Sequence, residues 1–221
     1  MSDPVEPLRA VMTRRRMCRD FSPEALAPGQ LERLLGLARR APSAGFTQGV
    51  AFVSLERPDG AISGSTDPVA SYWDLTLPAP RRTDFAWPGL LLAPVLVTLW
   101  VRPQAWVERY GRDDKARAHL GDDQESWPVP YWWVDAGAVV QNLLLAAEAE
   151  GLGALFFGMF DHEPQVATQL AVPAGWRGVG TVALGHCAPD GRRASSSARL
   201  GRPPLSGHWH RNTWVPTKET T

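Results

Sequence analysis

The chain has 221 residues, 44% of them hydrophobic, which is enough to bury an ordinary core, so we expect one domain over residues 1–221. Its 23 Lys and Arg balance 23 Asp and Glu, which argues against nucleic acid as a main partner. The two cysteines do not suggest a disulfide scaffold, and a reducing cytoplasm is the simplest setting for them. The sequence contains no run of eighteen apolar residues, so we expect no membrane span and no membrane partner.

The first third of the chain alternates helical and extended patterns. Residues 8–17 are typical of a short helix, and Leu31, Leu34 and Leu35 recur at the spacing of an amphipathic helix over 28–40. Residues 50–55 predict a strand and residues 58–60 a turn.

The middle of the chain, residues 60–131, is rich in aromatic side chains and is expected to be largely irregular. Residues 61–93 include Pro78, Pro80 and Pro88 and show no clear period. The apolar, β-branched run at 94–101 predicts a buried strand, and residues 103–119 predict a helix, followed by a loop to 131.

A long apolar helix is predicted over residues 134–150. Because it is apolar nearly all round, it should be a central core helix or be covered by a second subunit. A strand over 154–160, a helix over 163–170, a strand over 176–185 and an extended tail over 188–221 complete the prediction.

Two short motifs carry the chemistry. Four arginines stand within six residues (Arg14, Arg15, Arg16 and Arg19), and guanidinium groups bind phosphate oxygens through paired hydrogen bonds. Small residues follow at 41–45, and they permit close approach of a ligand to the backbone. Each motif alone has an ordinary alternative, a charged helix face for the first and a helix-ending turn for the second.

Together these motifs resemble the signature of the nitroreductase family, Arg-Arg-Ser-x-Arg-x-Phe followed by Ala-Pro-Ser-x-x-Asn-x-Gln. The resemblance extends through four further segments, at residues 135–143, 151–161, 182–186 and 202–205. It implies an α+β fold with a mixed sheet flanked by helices, and an intertwined homodimer with FMN at the subunit interface.

The resemblance also implies a set of cofactor-binding residues. Arg15, Arg16, Arg199 and Arg202 would bind the phosphate, and Arg19 would lie near flavin N1 and O2. Pro42, Ser43 and Ala44 would approach from the other subunit, with Gln48 at a matching position. Phe156, Phe157 and Gly158 would lie against the isoalloxazine, the Gly158 amide near N5. Two residues depart from the signature: Met17, at a cofactor-contacting position, replaces Ser, and Phe46 replaces Asn.

The implied activity is reduction of nitroaromatics or quinones by NAD(P)H in a ping-pong mechanism. We expect Phe46, Trp73 and Trp127 to contact a planar aromatic substrate, and we assign no catalytic side chain and no metal site. Two alternatives stay open. One is a flavin-dependent dehydrogenase or flavin-fragmenting enzyme of a biosynthetic pathway, and the other is a flavin-storage protein without enzymatic activity.

Overall fold

The computed structural model describes residues 5–58, 67–189, 191 and 200–214. The helices of this part are α1 (Glu6–Arg14), α2 (Gln30–Ala38), α3 (Pro68–Thr76), α4 (Ala79–Arg82), α5 (Gln104–Tyr110), α6 (Tyr131–Ala149) and α7 (Glu163–Gln169). Its strands are β1 (Val50–Glu56), β2 (Val95–Val101), β3 (Gly153–Phe157) and β4 (Arg177–Gly185).

The four strands form one sheet in the order β1-β2-β4-β3, and every neighbouring pair is antiparallel. The predicted α+β class is confirmed. The sheet is antiparallel rather than mixed, and the parallel pairing described is a single bridge between Met17 and Ala154. All seven residues of β2 are buried, as its continuous apolar sequence predicts for a strand covered on both faces.

Side chains alternate along β2 between two separate cores. Val97 and Leu99 point to the core formed with α2 and α6, whereas Leu96 and Trp100 point to the core formed with α3 and α7. The sheet is therefore a layer between two groups of helices.

The predicted irregular segment contains a regular helix, α3. Asp67 caps its first turn by accepting hydrogen bonds from the Val69 and Ala70 amides, at 2.9 and 3.1 Å. The same carboxylate is fully buried and forms an ion pair with Arg57. The prediction was wrong here because this helix depends on a partner ten residues away and on packing against the sheet, which local periodicity does not record.

Several boundaries differ from the prediction. Strand β3 ends at Phe157 rather than at 160, since Phe160 has a positive φ of 46° that an extended strand does not accommodate. The predicted helix over 103–119 is divided: α5 ends at Tyr110, and a 3₁₀ turn follows over Asp113–Ala118. The predicted turn at 58–60 and tail at 188–221 lie partly outside the described residues.

Helix α6 has one buried and one exposed side. Ten of its nineteen residues are buried. The exposed side still carries large apolar groups near its N-terminus: Tyr131, Trp133 and Val134. Within the described residues, no helix is both long enough and apolar enough for a membrane span.

Candidate functional site

A cavity of about 420 Å³ opens between α3, the segment 85–90 and the C-terminal end of β3. We call it the aromatic cavity, since seven of its fifteen lining residues are aromatic: Tyr72, Trp73, Phe85, Trp87, Phe156, Phe157 and Phe160. The remaining lining residues are Arg19, Thr76, Leu77, Leu90, Leu155, Gly158, Met159 and His162. Such a space fits a flat, mostly apolar molecule.

Trp73 and Phe157 form one wall of the aromatic cavity. Their rings are stacked, with centroids 5.6 Å apart and planes inclined by 16°. The indole N–H of Trp73 is buried and has no hydrogen-bond partner in the described part of the chain. Trp73 thus lies on helix α3, within the segment that the sequence analysis expected to be largely irregular.

Tyr72 fixes α3 to the centre of the sheet. Its hydroxyl lies 2.8 Å from Thr181 Oγ1 on β4. Burial raises the pKa of Tyr72 to about 12, more than the hydrogen bond to Thr181 lowers it. Tyr72 is therefore protonated at neutral pH and serves as an anchor beside the cavity rather than as a base.

The four clustered arginines have different surroundings. Arg14 forms an ion pair with the buried carboxylate of Glu148, with 3.1 Å between Nε and Oε1. Arg16 donates to the carbonyl oxygens of Thr13 and Arg15, at 2.6 and 2.9 Å, and so caps the C-terminus of α1. Arg14 and Arg16 are thus engaged by other groups of the chain.

The other two arginines remain available to a ligand. Arg15 has a buried Nη1 atom without a hydrogen-bond partner among the described residues, an arrangement that is costly unless an anion completes it. Arg19 lines the aromatic cavity, where its guanidinium carbon lies 5.4 Å from the centroid of the Trp87 ring. Arg15 and Arg19 therefore fit a group with a phosphate and an electron-rich edge better than Arg16 does.

The turn at residues 43–48 is held by several hydrogen bonds. Asp135, on α6, accepts from the Ala44 amide at 2.8 Å, and Arg109 donates to the Gly45 carbonyl at 2.7 Å. Ser43 Oγ accepts from the Gln48 amide at 3.0 Å. Gln48 (φ 54°) and Phe46 (φ 58°) adopt left-handed backbone conformations, which cost energy and persist where the surroundings fix them.

This turn borders a smaller cavity of about 130 Å³, lined by Pro42, Ser43, Gln48 and Asp135 among others. It shares no lining residue with the aromatic cavity. The Ala44 amide is already used by Asp135, so Ala44 would contact a ligand through its other atoms. The structure thus divides the predicted cofactor residues of one chain between two places.

The predicted substrate residues are separated as well. Trp73 lines the aromatic cavity, but Trp127 does not. Trp127 packs against Tyr110 and Trp132 in a third core, and its indole N–H donates to the Leu120 carbonyl at 2.8 Å. Phe46 is 77% exposed and borders a charged surface cleft instead.

The remaining predicted residues are less constrained. Met17 is half-buried and pairs with Ala154 through the parallel bridge. Arg202 is exposed and makes no hydrogen bond or ion pair with the described residues, and Arg199 lies outside them. Sequence reasoning did not assign Phe160 and His162 to the site, although both stand within five residues of the Phe157-Gly158 motif.

The comparisons with known proteins identify the family of this chain. The nitroreductase family model matches residues 12–186. The chain therefore belongs to the nitroreductase family, a class of oxidoreductases that generally use a flavin.

Solved structures of similar fold come from several bacteria. NfrA2 of B. megaterium is 20% identical, with a TM-score of 0.67 over 95% of this chain and 75% of that one. Nitroreductase A of Vibrio parahaemolyticus is 21% identical, with a TM-score of 0.66 over 96% and 78%. NfrA1 nitroreductase of B. subtilis is 16% identical, with a TM-score of 0.67 over 95% and 76%.

The raised pKa of Tyr72 predicts how stability depends on pH. A group whose pKa rises on folding contributes stability that is complete below its unfolded pKa, about 10, and is lost as pH rises towards its folded pKa, about 12. We expect the free energy of unfolding to fall by about 2–3 kcal/mol between pH 9.5 and 12. Urea unfolding of the parent and of Tyr72→Phe across this range measures it. The free energy of unfolding of the variant should fall much less over this pH range. An equal fall in both proteins would contradict the raised pKa of Tyr72.

Proposed function

We propose that the protein is an FMN-dependent oxidoreductase that reduces electron-poor aromatic acceptors, nitroaromatics or quinones, with NAD(P)H. The observation that carries the proposal is the aromatic cavity, which combines flat apolar walls with the guanidinium of Arg19. The buried, unpartnered Nη1 of Arg15 adds a place for a phosphate oxygen. The chemistry that FMN supplies when bound is acceptance of a hydride from NAD(P)H and delivery of electrons to the acceptor.

The side chains supply binding and orientation in this proposal. Arg15, assisted by Arg202, would bind the phosphate through charge-assisted hydrogen bonds. Arg19 would place a permanent positive charge at the pyrimidine edge, where negative charge grows on reduction. Phe157 and Gly158 would lie against the ring, and Trp73 would stack with the acceptor. A ping-pong order follows if nicotinamide and acceptor use the same cavity in turn.

We also propose that two chains are needed to complete each site. The cavity at the turn is lined by Phe52 and Val139 of the core on one face of the sheet, and the aromatic cavity by Tyr72 and Trp73 of the core on the other face. A flavin that contacts both sets would therefore take the turn from a second chain. Val134 is 53% exposed on α6, beside the exposed Tyr131 and Trp133, which gives an apolar surface for such a partner. A cytoplasmic location remains part of the proposal.

A flavin-storage protein is the second candidate, since Met17 and Phe46 remove two polar groups of the family signature. The absorption spectrum of the purified protein before and after anaerobic NAD(P)H separates the two. Bleaching of the flavin bands supports the oxidoreductase. A bound flavin that NAD(P)H does not bleach would contradict it.

Removing the Arg15 guanidinium should weaken FMN binding. A charge-assisted hydrogen bond contributes about 1.5–3 kcal/mol, so Arg15→Ala should raise the Kd for FMN about tenfold or more. Titration of the apoprotein, followed by flavin fluorescence, measures this. Arg9→Ala is the matched control, because Arg9 is an exposed arginine of α1 that forms an ion pair with Glu6. Equal affinities of the parent and of Arg15→Ala would remove Arg15 from the site.

Replacing Trp73 should weaken binding of the acceptor more than it slows reduction of the flavin by NAD(P)H. Trp73 and Trp127 are similarly buried, 5% and 6% exposed, but only Trp73 lines the aromatic cavity. Loss of stacking, worth about 0.5–1.5 kcal/mol, should raise the KM for a large quinone about two- to tenfold in Trp73→Leu. Stopped-flow measurement of each half-reaction separates the two effects. Trp127→Leu is the control, and an equal rise in both variants would show that only general packing is at work.

The dimer should depend on the exposed side of α6. Sedimentation at low micromolar concentration should give twice the 24.2 kDa chain mass. Val134→Lys should shift the protein towards monomer and release FMN, because a charge there would be buried against the partner. Gln169→Lys, an exposed position on α7 at the other face of the sheet, should change neither. A parent monomer that retains FMN would contradict the shared site.

A further inference from the structure

The guanidinium of Arg19 is placed by an aromatic ring rather than by a carboxylate. Its carbon atom lies 5.4 Å from the centroid of the Trp87 ring, within the range of a cation–π contact. Its side chain forms no ion pair or hydrogen bond with the residues that the structure describes. The charge therefore stays unneutralised, and the ring restricts where it can lie.

The backbone that carries Trp87 is fastened to the backbone that carries Arg19. The Phe21 amide donates to the Gly89 carbonyl at 3.1 Å. A Cβ atom at Gly89 would lie only 1.7 Å from Asp20 Oδ1 and 3.1 Å from Asp20 Cα, so any larger residue would force Asp20 to move and this close approach favours glycine. The two segments therefore keep a fixed relation to each other.

A second aromatic residue orients the Trp87 ring. Phe85 meets it edge to face, with centroids 5.9 Å apart and planes at 89°. Arg19, Phe85 and Trp87 all line the aromatic cavity. A ligand in this cavity thus meets a cation whose direction is set by the neighbouring rings.

We infer that Trp87 is a positioning residue: its ring holds the Arg19 guanidinium at the edge of the aromatic cavity, facing the electron-rich edge of the ring bound there. The inference rests on the proposed FMN function, in which that edge is the pyrimidine of the flavin. A charge held there favours the reduced cofactor over the oxidised one, because reduction adds negative charge to the ring. Trp87 acts on this balance through Arg19.

The midpoint potential of bound FMN tests the inference. The contact of an exposed cation with an aromatic ring changes an equilibrium constant about two- to fivefold. Trp87→Leu should therefore reduce the preference of the protein for reduced over oxidised FMN by roughly two- to fivefold. For a two-electron couple this is a fall of about 10–20 mV in potential. Trp87→Phe, which keeps a ring, should restore most of it.

A double-mutant cycle distinguishes positioning from a general effect on folding. Arg19→Gln should lower the potential more than Trp87→Leu does, and adding Trp87→Leu to Arg19→Gln should cause little further change. Trp209→Leu is the matched control, because Trp209 forms a similar contact with Arg211 (4.5 Å) but does not line the aromatic cavity. It should leave the potential unchanged.

The outcomes separate this inference from the proposed function. Normal FMN binding with an unchanged potential in Trp87→Leu would overturn the role of Trp87 alone. A full additional shift of Trp87→Leu in the Arg19→Gln background, or an equal shift in Trp209→Leu, would do the same. A parent protein that does not bind FMN would overturn the proposed function and this inference with it.

Discussion

The site depends on the antiparallel pairing of β2 with β4 at the centre of the sheet. This pairing sets Thr98 opposite Thr181, and both hydroxyls are buried there. Thr181 pairs with the Tyr72 hydroxyl, which fixes α3 to the sheet. Because Trp73 follows Tyr72 on that helix, the register of two strands decides where the wall of the aromatic cavity lies. A shift of one residue would turn these side chains to the opposite face.

The contacts of each clustered arginine decide whether its positive charge is engaged within the protein. Glu148 is buried and needs Arg14, while the C-terminus of α1 needs a donor and obtains it from Arg16. Arg15 and Arg19 form no such contact among the described residues, which is why we propose these two for contact with the flavin. Two of the four arginines in one motif are thus engaged by a distant carboxylate or by backbone carbonyls, and the other two are the ones that we propose for ligand binding.

Separate contacts hold the proposed flavin-binding residues of one chain in two places. Asp135, Arg109 and Ser43 hold the turn at 43–48 against α5 and α6, whereas Arg19, Phe157 and Gly158 lie at the far end of β3. Each half is fixed by its own hydrogen bonds or stacking contacts. A second chain that supplied the missing half would receive a preformed surface, which lowers the entropy lost on association.

The sequence by itself determined the buried strand β2, the apolar helix α6 and the order of the nitroreductase motifs, because hydrophobic periodicity and short motifs are local properties of the chain. Only the tertiary structure decided that α3 is a helix, since its cap Asp67 is stabilised by Arg57. It also separated Trp73 from Trp127, two tryptophans in similar sequence surroundings, because packing placed them in different cores. Whether a side chain lines a cavity depends on contacts between distant segments, and no local pattern encodes them.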